Sequence, residues 1–359
     1  MLIKSRITIR NADDITDLSN HGVTTNFDYL FDLQHFIRSF GAACPQIHLY
    51  LTREELRDSH PDIHGIDSPP ESQLTPEGLP DMHFHPMAES VIANMETWRP
   101  KFDQWMKDTQ PAFSPEKPVV ITIRSESLPL LRFPINYDPP AFIATYGRLI
   151  QTRWDIRRIA GAVLFSLSER DNLDLDLSHP GIQRGKFYGV HLRTDQDAMN
   201  VNWPGYDMQS KNYLEGGKKS GLKSMYLASG NPEDSARFRA ETEKEGIIGG
   251  MKADLLARPG FEIENRRMMN MTWDQQGIID YEVLLRCSAF SGVFESSYSW
   301  AISNRRHVVL HGGIWDMIYE GHTGAEMEGP ETFIDEYSTI YGPKDMLRLR
   351  WQFPLALWP

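Results

Sequence analysis

Two cysteines, Cys44 and Cys287, are all that 359 residues carry; they are too few and too far apart for a disulfide framework, and a reducing compartment suits the chain. Basic residues are in the minority, 37 Lys and Arg against 49 Asp and Glu, for a formal net charge of −12. No long Lys/Arg run occurs, which argues against a nucleic-acid backbone or an anionic membrane surface as partner and for a small ligand. Apolar runs of membrane-spanning length are missing. Met1 to Arg10 alternates charged and aliphatic residues and lacks the apolar core of a signal peptide, so a cytoplasmic chain without an anchor is expected. Internal repeats and low-complexity tracts are also lacking.

The length exceeds what one hydrophobic core usually serves, so two domains are expected. We divide the chain into an N-terminal domain over 1–170, a linker over 171–184 and a C-terminal domain over 185–359. In the first, Leu2 to Ile9 alternates with period two and predicts a strand, Tyr29 to Phe40 a helix, and Gln46 to Leu51 another strand. Pro61 to Pro80, rich in Pro, Ser, Asp and Gly, predicts an irregular excursion. Met87 to Lys107 predicts a helix, Val119 to Ile123 a strand and Ala141 to Arg170 a helical stretch. The linker, Asp171 to Arg184, has turn chemistry. Beyond it, strand candidates Phe187–Leu192, Ser224–Ala228, Gly246–Ile248, Ala289–Val293 and His307–Leu310 alternate with helical windows Asn231–Lys244, Gln275–Cys287 and Ser297–Ser303. Such alternation predicts a doubly wound parallel sheet.

Three segments carry candidate chemistry. In Tyr188-Gly189-Val190-His191-Leu192-Arg193-Thr194-Asp195 an apolar strand ends in His191 and Arg193 on one face. Ligands of open α/β sheets collect beyond the carboxyl ends of the strands, where a permanently charged guanidinium fork suits a diphosphate; the alternative is an Arg193 paired with Asp195 or Asp197. In Phe290 to Trp300 a strand runs through small residues into a helix whose N-cap is Ser296 or Ser297, and a helix N-terminus offers unpaired N–H groups to a phosphate. Asp280 lies on the helix leading into that strand, placed either to accept from the N–H groups of a purine edge or simply to face solvent.

Several look-alikes carry less. Gly216-Gly217-Lys218-Lys219-Ser220-Gly221 resembles a phosphate loop, but the spacing fails because Asn212 and Lys219 stand where Gly and Ser/Thr are required, and a basic turn is expected. Asp195-Gln196-Asp197 and Asp174-Leu175-Asp176 have an Asp-x-Asp form, yet two acids are a weak metal signal and no metal is expected. His83-Phe84-His85 lacks a third ligand nearby and reads as loop histidines.

Taken together, His191-Leu192-Arg193 and the later Phe290-Ser291-Gly292 with Ser296-Ser297-Tyr298-Ser299-Trp300 resemble the GDP-fucose protein O-fucosyltransferase family. Phe27 to Ile37 looks like that family's segment introducing its second N-terminal helix, and Phe133 to Asp138 through Asp155 to Arg158 is similar to a fungal branch of it. The resemblance implies an α/β fold of the GT-B type, two Rossmann-like domains facing a cleft. Set against that family, an incomplete N-terminal domain is expected, since the family's first strand, glycine-rich loop and helix have no counterpart in this sequence. It implies metal-independent, inverting transfer of fucose or a related sugar from a GDP-sugar co-substrate to a hydroxyl acceptor. Arg193 would contact the diphosphate, Ser296 and Ser297 would line the phosphate end and Asp280 would lie on the base side; Arg193 and His191 are the catalytic candidates. Two other readings stand beside it. One is a cofactor-free cyclase or pericyclase of fungal secondary metabolism, with His191 and Arg193 as polarising donors; the other is a non-catalytic binding protein.

Overall fold

Three strands of the C-terminal half are buried on both faces, as a parallel sheet covered by helices requires. β1 (Tyr188–His191) and β2 (Ser224–Ala228) are buried at every position, and β4 (Ala289–Val293) at all but its first. With β3 (Ile248–Gly250), β5 (Glu331–Ile334) and β6 (Ser338–Tyr341) they form one sheet of order β3-β2-β1-β4-β6-β5, parallel throughout except for β5, which runs antiparallel to β6 at the edge. The structure is a computed structural model and describes residues 26–61, 100, 103–104, 107–108, 147–200, 202–311 and 331–342.

Alternation along the strands sorts side chains to two layers. Tyr188, Val190, Met225 and Leu227 pack with Tyr213 and Phe238 from α5 (Tyr206–Ser220) and α6 (Pro232–Lys244), while Tyr226, Ala228 and Phe290 face the other core. That second core is filled by α3 (Trp154–Asp171) and α9 (Trp273–Leu284). Ile156, Ile159, Val163 and Leu167 of α3 are fully buried there, each contributing about 1.5–3 kcal/mol relative to exposure. In packing terms α3 therefore shares the core of the C-terminal sheet, although it precedes the expected linker. Gly189 permits the close approach of α9 to β1, because a Cβ there would lie 2.5 Å from the Cys287 sulfur and 2.8 Å from Leu284.

Upstream, α1 (Leu33–Ala43) is capped by Asp32, whose carboxylate accepts from His35 N–H at 2.9 Å, and α2 (Arg53–Ser59) follows. Phe27, Phe36 and Phe40 form a satellite cluster. The chain at Leu30–Asp32 pairs with Gln151–Arg153, through Arg153 N–H to Leu30 C=O and Asp32 N–H to Gln151 C=O. Tyr29 is bound to α9, its carbonyl accepting from Gln275 and its hydroxyl meeting Thr272. Three short helices, α4 (Gln196–Asn200), α7 (Lys252–Leu256) and α8 (Glu262–Met269), the longer α10 (Ser297–His311) and 3-10 turns at Phe27–Tyr29 and Gly147–Leu149 complete the described elements.

Several expectations need correction. The first helix starts at Leu33 rather than Tyr29, because Asp32 supplies the cap, and Gln46 to Leu51 forms a turn and irregular chain with a single β-bridge residue, Tyr50, rather than a strand. Of the helical stretch expected from Ala141, the described part starts at residue 147 with a 3-10 turn, Gly147–Leu149, and α-helix begins at Trp154. His307–Leu310, with its β-branched pair, is not a strand but the continuation of α10: no Gly or Pro interrupts it, and Trp300, Ile302 and Arg306 anchor it in the core. The Gly216-Gly217 segment is not a basic turn but the last turns of α5, where a Cβ on Gly216 would meet the Tyr341 hydroxyl at 2.9 Å and that of Tyr188 at 3.0 Å. The strand placed at Gly246–Ile248 lies two residues later. The strands at Leu2–Ile9 and Val119–Ile123, the helix from Met87, the excursion from Pro61, His83 and His85, and with them the expected N-terminal sheet, fall wholly or mainly outside the described residues.

Candidate functional site at the sheet crossover

In the order β3-β2-β1-β4, the chain steps outward from β1 to β3 and then returns to the other side of β1. The crevice beyond the carboxyl ends at such a reversal is where open α/β sheets bind ligands. A cavity of about 370 Å³ lies there, and all five residues singled out from the sequence line it: His191, Arg193, Asp280, Ser296 and Ser297.

Arg193 stands two residues beyond β1. Its backbone is held by Gln209 of α5, whose side-chain carbonyl accepts from Arg193 N–H at 3.0 Å while its amide donates to Arg193 C=O at 2.8 Å. The guanidinium is fully engaged on one side: Nη1 pairs with Asp195 and Nη2 with Asp197 at 2.6 Å. Both carboxylates are buried, and the guanidinium carbon lies 5.8 Å from the centre of the Trp203 ring. The Asp-x-Asp pair is thus the arginine's counter-charge. Gly230, after β2, leaves the room, since a Cβ there would collide with the Asp195 carboxylate.

His191, the last residue of β1, is buried, and its Nδ1 lies 2.8 Å from the Ser299 hydroxyl, which in turn accepts from Val293 N–H. Its ring sits 4.6 Å from that of Tyr298. Burial, reinforced by the neighbouring positive charge of Arg193, pulls the His191 pKa down to about 3. At neutral pH it is an uncharged imidazole, and the direction of its bond with Ser299 sets whether Nε2 donates or accepts.

The N-cap of α10 is Ser296, not Ser297: the buried Ser296 hydroxyl accepts from Ser299 N–H at 3.3 Å, whereas Ser297 is exposed at the first helical position. Ser296, Ser297 and Tyr298 line the cavity, so the N-terminus of α10 borders it, and a helix N-terminus favours an anion.

Asp280 is buried, and neither of its oxygens is idle. Oδ1 accepts from the Tyr226 hydroxyl at 2.5 Å and Oδ2 from Lys252 Nζ at 2.6 Å. Burial and the Asp280 charge push the Tyr226 pKa well above its usual value, so the phenol remains a donor. Lys252, directly after β3, was not anticipated; it also lines the cavity, as do Trp203, Trp273 and Tyr298. Placing the strand two residues too early hid the fact that Gly250-Met251-Lys252 is a strand-to-helix junction, the one signal that marked Lys252. Among the described residues no group of three or more His, Cys, Asp or Glu is arranged to hold a metal ion, and no helix is long and apolar enough to cross a membrane.

Fold and site together define a doubly wound α/β protein with a mainly apolar, aromatic-lined cavity at its topological switch point, into which a few charged and polar side chains converge. No protein-family model and no curated protein sequence matches the chain. Among solved structures it is similar to POFUT1 in complex with GDP (14% identity, 89% of this chain and 85% of that one, TM-score 0.43). It is also similar to POFUT1 in complex with GDP-fucose (13% identity, 94% and 89%, TM-score 0.45). Overlap at that level carries no functional argument, which rests instead on the cavity's own residues.

Proposed function

We propose that the cavity holds the diphosphate of a nucleoside-diphosphate sugar and that the protein moves the sugar, fucose or a related one, to a hydroxyl acceptor by metal-independent, inverting transfer. The observation supporting this is that Arg193 beyond β1 and the N-terminus of α10 beyond β4 open on one cavity at the switch point. A leaving diphosphate gains negative charge as the sugar bond breaks, and fixed donors aimed at that charge lower the barrier. Arg193 has five N–H donors, of which the two carboxylates take two, so donors remain for phosphate oxygens. Ser297 and the first N–H groups of α10 hold the phosphate end, and neutral His191 lines the same cavity.

Thermal unfolding in the presence of GDP tests the reading. A ligand at about one hundred times its Kd stabilises the native state by roughly 2.7 kcal/mol, so GDP is expected to raise the melting temperature of the native chain and not that of Arg193→Ala. No shift with GDP, ADP or UDP overturns it.

A second reading, cofactor-free cyclisation of a small apolar substrate, is favoured by the charge balance: Arg193 already faces Asp195 and Asp197, Lys252 faces Asp280, and Trp203, Trp273 and Tyr298 supply apolar wall. Product formed without any sugar donor would select it.

A further inference from the structure

A carboxylate that reads the N–H groups of a base needs an idle oxygen, and Asp280 has none: its two oxygens already accept from Tyr226 and Lys252. The ammonium, by contrast, is under-used. Its side chain is 14% exposed, it lines the cavity, and among the described residues Asp280 is its one hydrogen-bond partner, leaving two of its three N–H donors. A largely buried ammonium with free donors is stabilised by any oxygen acceptor brought within reach. β3 lies two strands from β1, roughly 10 Å at the usual inter-strand spacing, so Lys252 and Arg193 enter one cavity from strands that far apart; that span suits the separation of base from diphosphate in a nucleotide.

We propose that Lys252 reads the ligand at this end by donating to a keto oxygen of the base, and that Asp280 is the positioning residue that holds the ammonium in place. The inference rests on the nucleotide reading above and narrows it to bases bearing a ring carbonyl.

Calorimetric titration of the full chain with GDP, inosine diphosphate and 2-aminopurine riboside diphosphate tests it. Inosine keeps the carbonyl and N1–H of guanine and lacks its exocyclic amine; 2-aminopurine keeps the amine and lacks both the carbonyl and the N1–H donor, so the assignment to the carbonyl is read from the loss of the contrast when Lys252 is replaced. GDP and inosine diphosphate are expected to bind within about threefold of each other, and the 2-aminopurine nucleotide at least about tenfold more weakly, as for one lost charge-assisted hydrogen bond. Lys252→Met strands the Asp280 carboxylate and endangers folding, so the double variant Lys252→Met/Asp280→Asn, which removes both charges, is used: in it the three affinities converge. Asp280→Asn alone is expected to shrink the carbonyl contrast without weakening the 2-aminopurine nucleotide. A 2-aminopurine nucleotide that binds the native chain like GDP, with inosine diphosphate weaker or equal, overturns the assignment and leaves nucleotide binding standing. Failure of all three to bind overturns the nucleotide reading and this assignment with it.

Discussion

Lowering the pH from about 7.5 to about 5 is expected to weaken the fold through His191 by about 2 kcal/mol. The imidazole is buried beside Arg193, and its pKa falls from 6.5 in the unfolded chain to about 3 in the native one. Between those values the unfolded state binds the proton and the native state does not, so stability is intact above pH 6.5 and is lost progressively as the pH falls toward the native pKa. At pH 5 the gap from the unfolded pKa is about 1.5 units, or about 2 kcal/mol at 1.36 kcal/mol per unit. His191→Asn, whose amide can still meet Ser299, removes the titration. Urea unfolding of both proteins across this range isolates the contribution of His191 from those of the other histidines, because only the difference between the two curves is read. The native chain is expected to lose about 2 kcal/mol relative to the variant on acidification. Parallel curves would refute the reasoning and mean that the imidazole is hydrated or already protonated in the native state.

The other predictions concern the scaffold of the site. Ser296→Ala is expected to destabilise by about 1 kcal/mol through loss of the α10 cap, and Ser297→Ala by no more than about 0.5, as measured by chemical unfolding. Arg306, fully buried, donates to the carbonyls of Leu284, Leu285, Cys287, Ser288 and Tyr337 and to the Ser338 hydroxyl, stitching the end of α9 to β4 and β6. Arg306→Met leaves those acceptors without it, and a loss of about 3 kcal/mol or more is expected in the same assay. Gly230→Ala drives a methyl group into the Asp195 carboxylate; about 1–3 kcal/mol of destabilisation is expected, together with weaker GDP binding as the pair with Arg193 shifts.

The C-terminal sheet was legible because its strands are short apolar runs separated by turn chemistry, and Ser224–Ala228 and Ala289–Val293 coincide with the elements observed. Helix α5 was not legible: Gly216 and Gly217 read as a turn, while their actual use is to let the helix close on Tyr188 and Tyr341, a contact known only once the sheet is assembled. The five candidates converge on one cavity; four of them, His191, Arg193, Ser296 and Ser297, sit at or just beyond a strand end or at a strand-to-helix junction, features that local pattern exposes, whereas Asp280 lies within α9 and stood out only as an acid in an apolar helix. Their partners were not all so visible. Asp195 and Asp197 lie near enough in sequence for pairing with Arg193 to be weighed, but Lys252 reaches Asp280 across 28 residues, and no periodicity reports that.

An arginine on an open surface samples many rotamers and must surrender that freedom when it meets a ligand. Arg193 has surrendered it already: two carboxylates fix the plane of its fork, Trp203 covers it, and Gln209 pins the backbone that carries it. Folding has therefore met the entropic penalty that association would otherwise incur. The consequence is selectivity by shape: a ligand must bring its acceptors to where the remaining donors stand, because this side chain has little latitude to follow a guest that is misplaced.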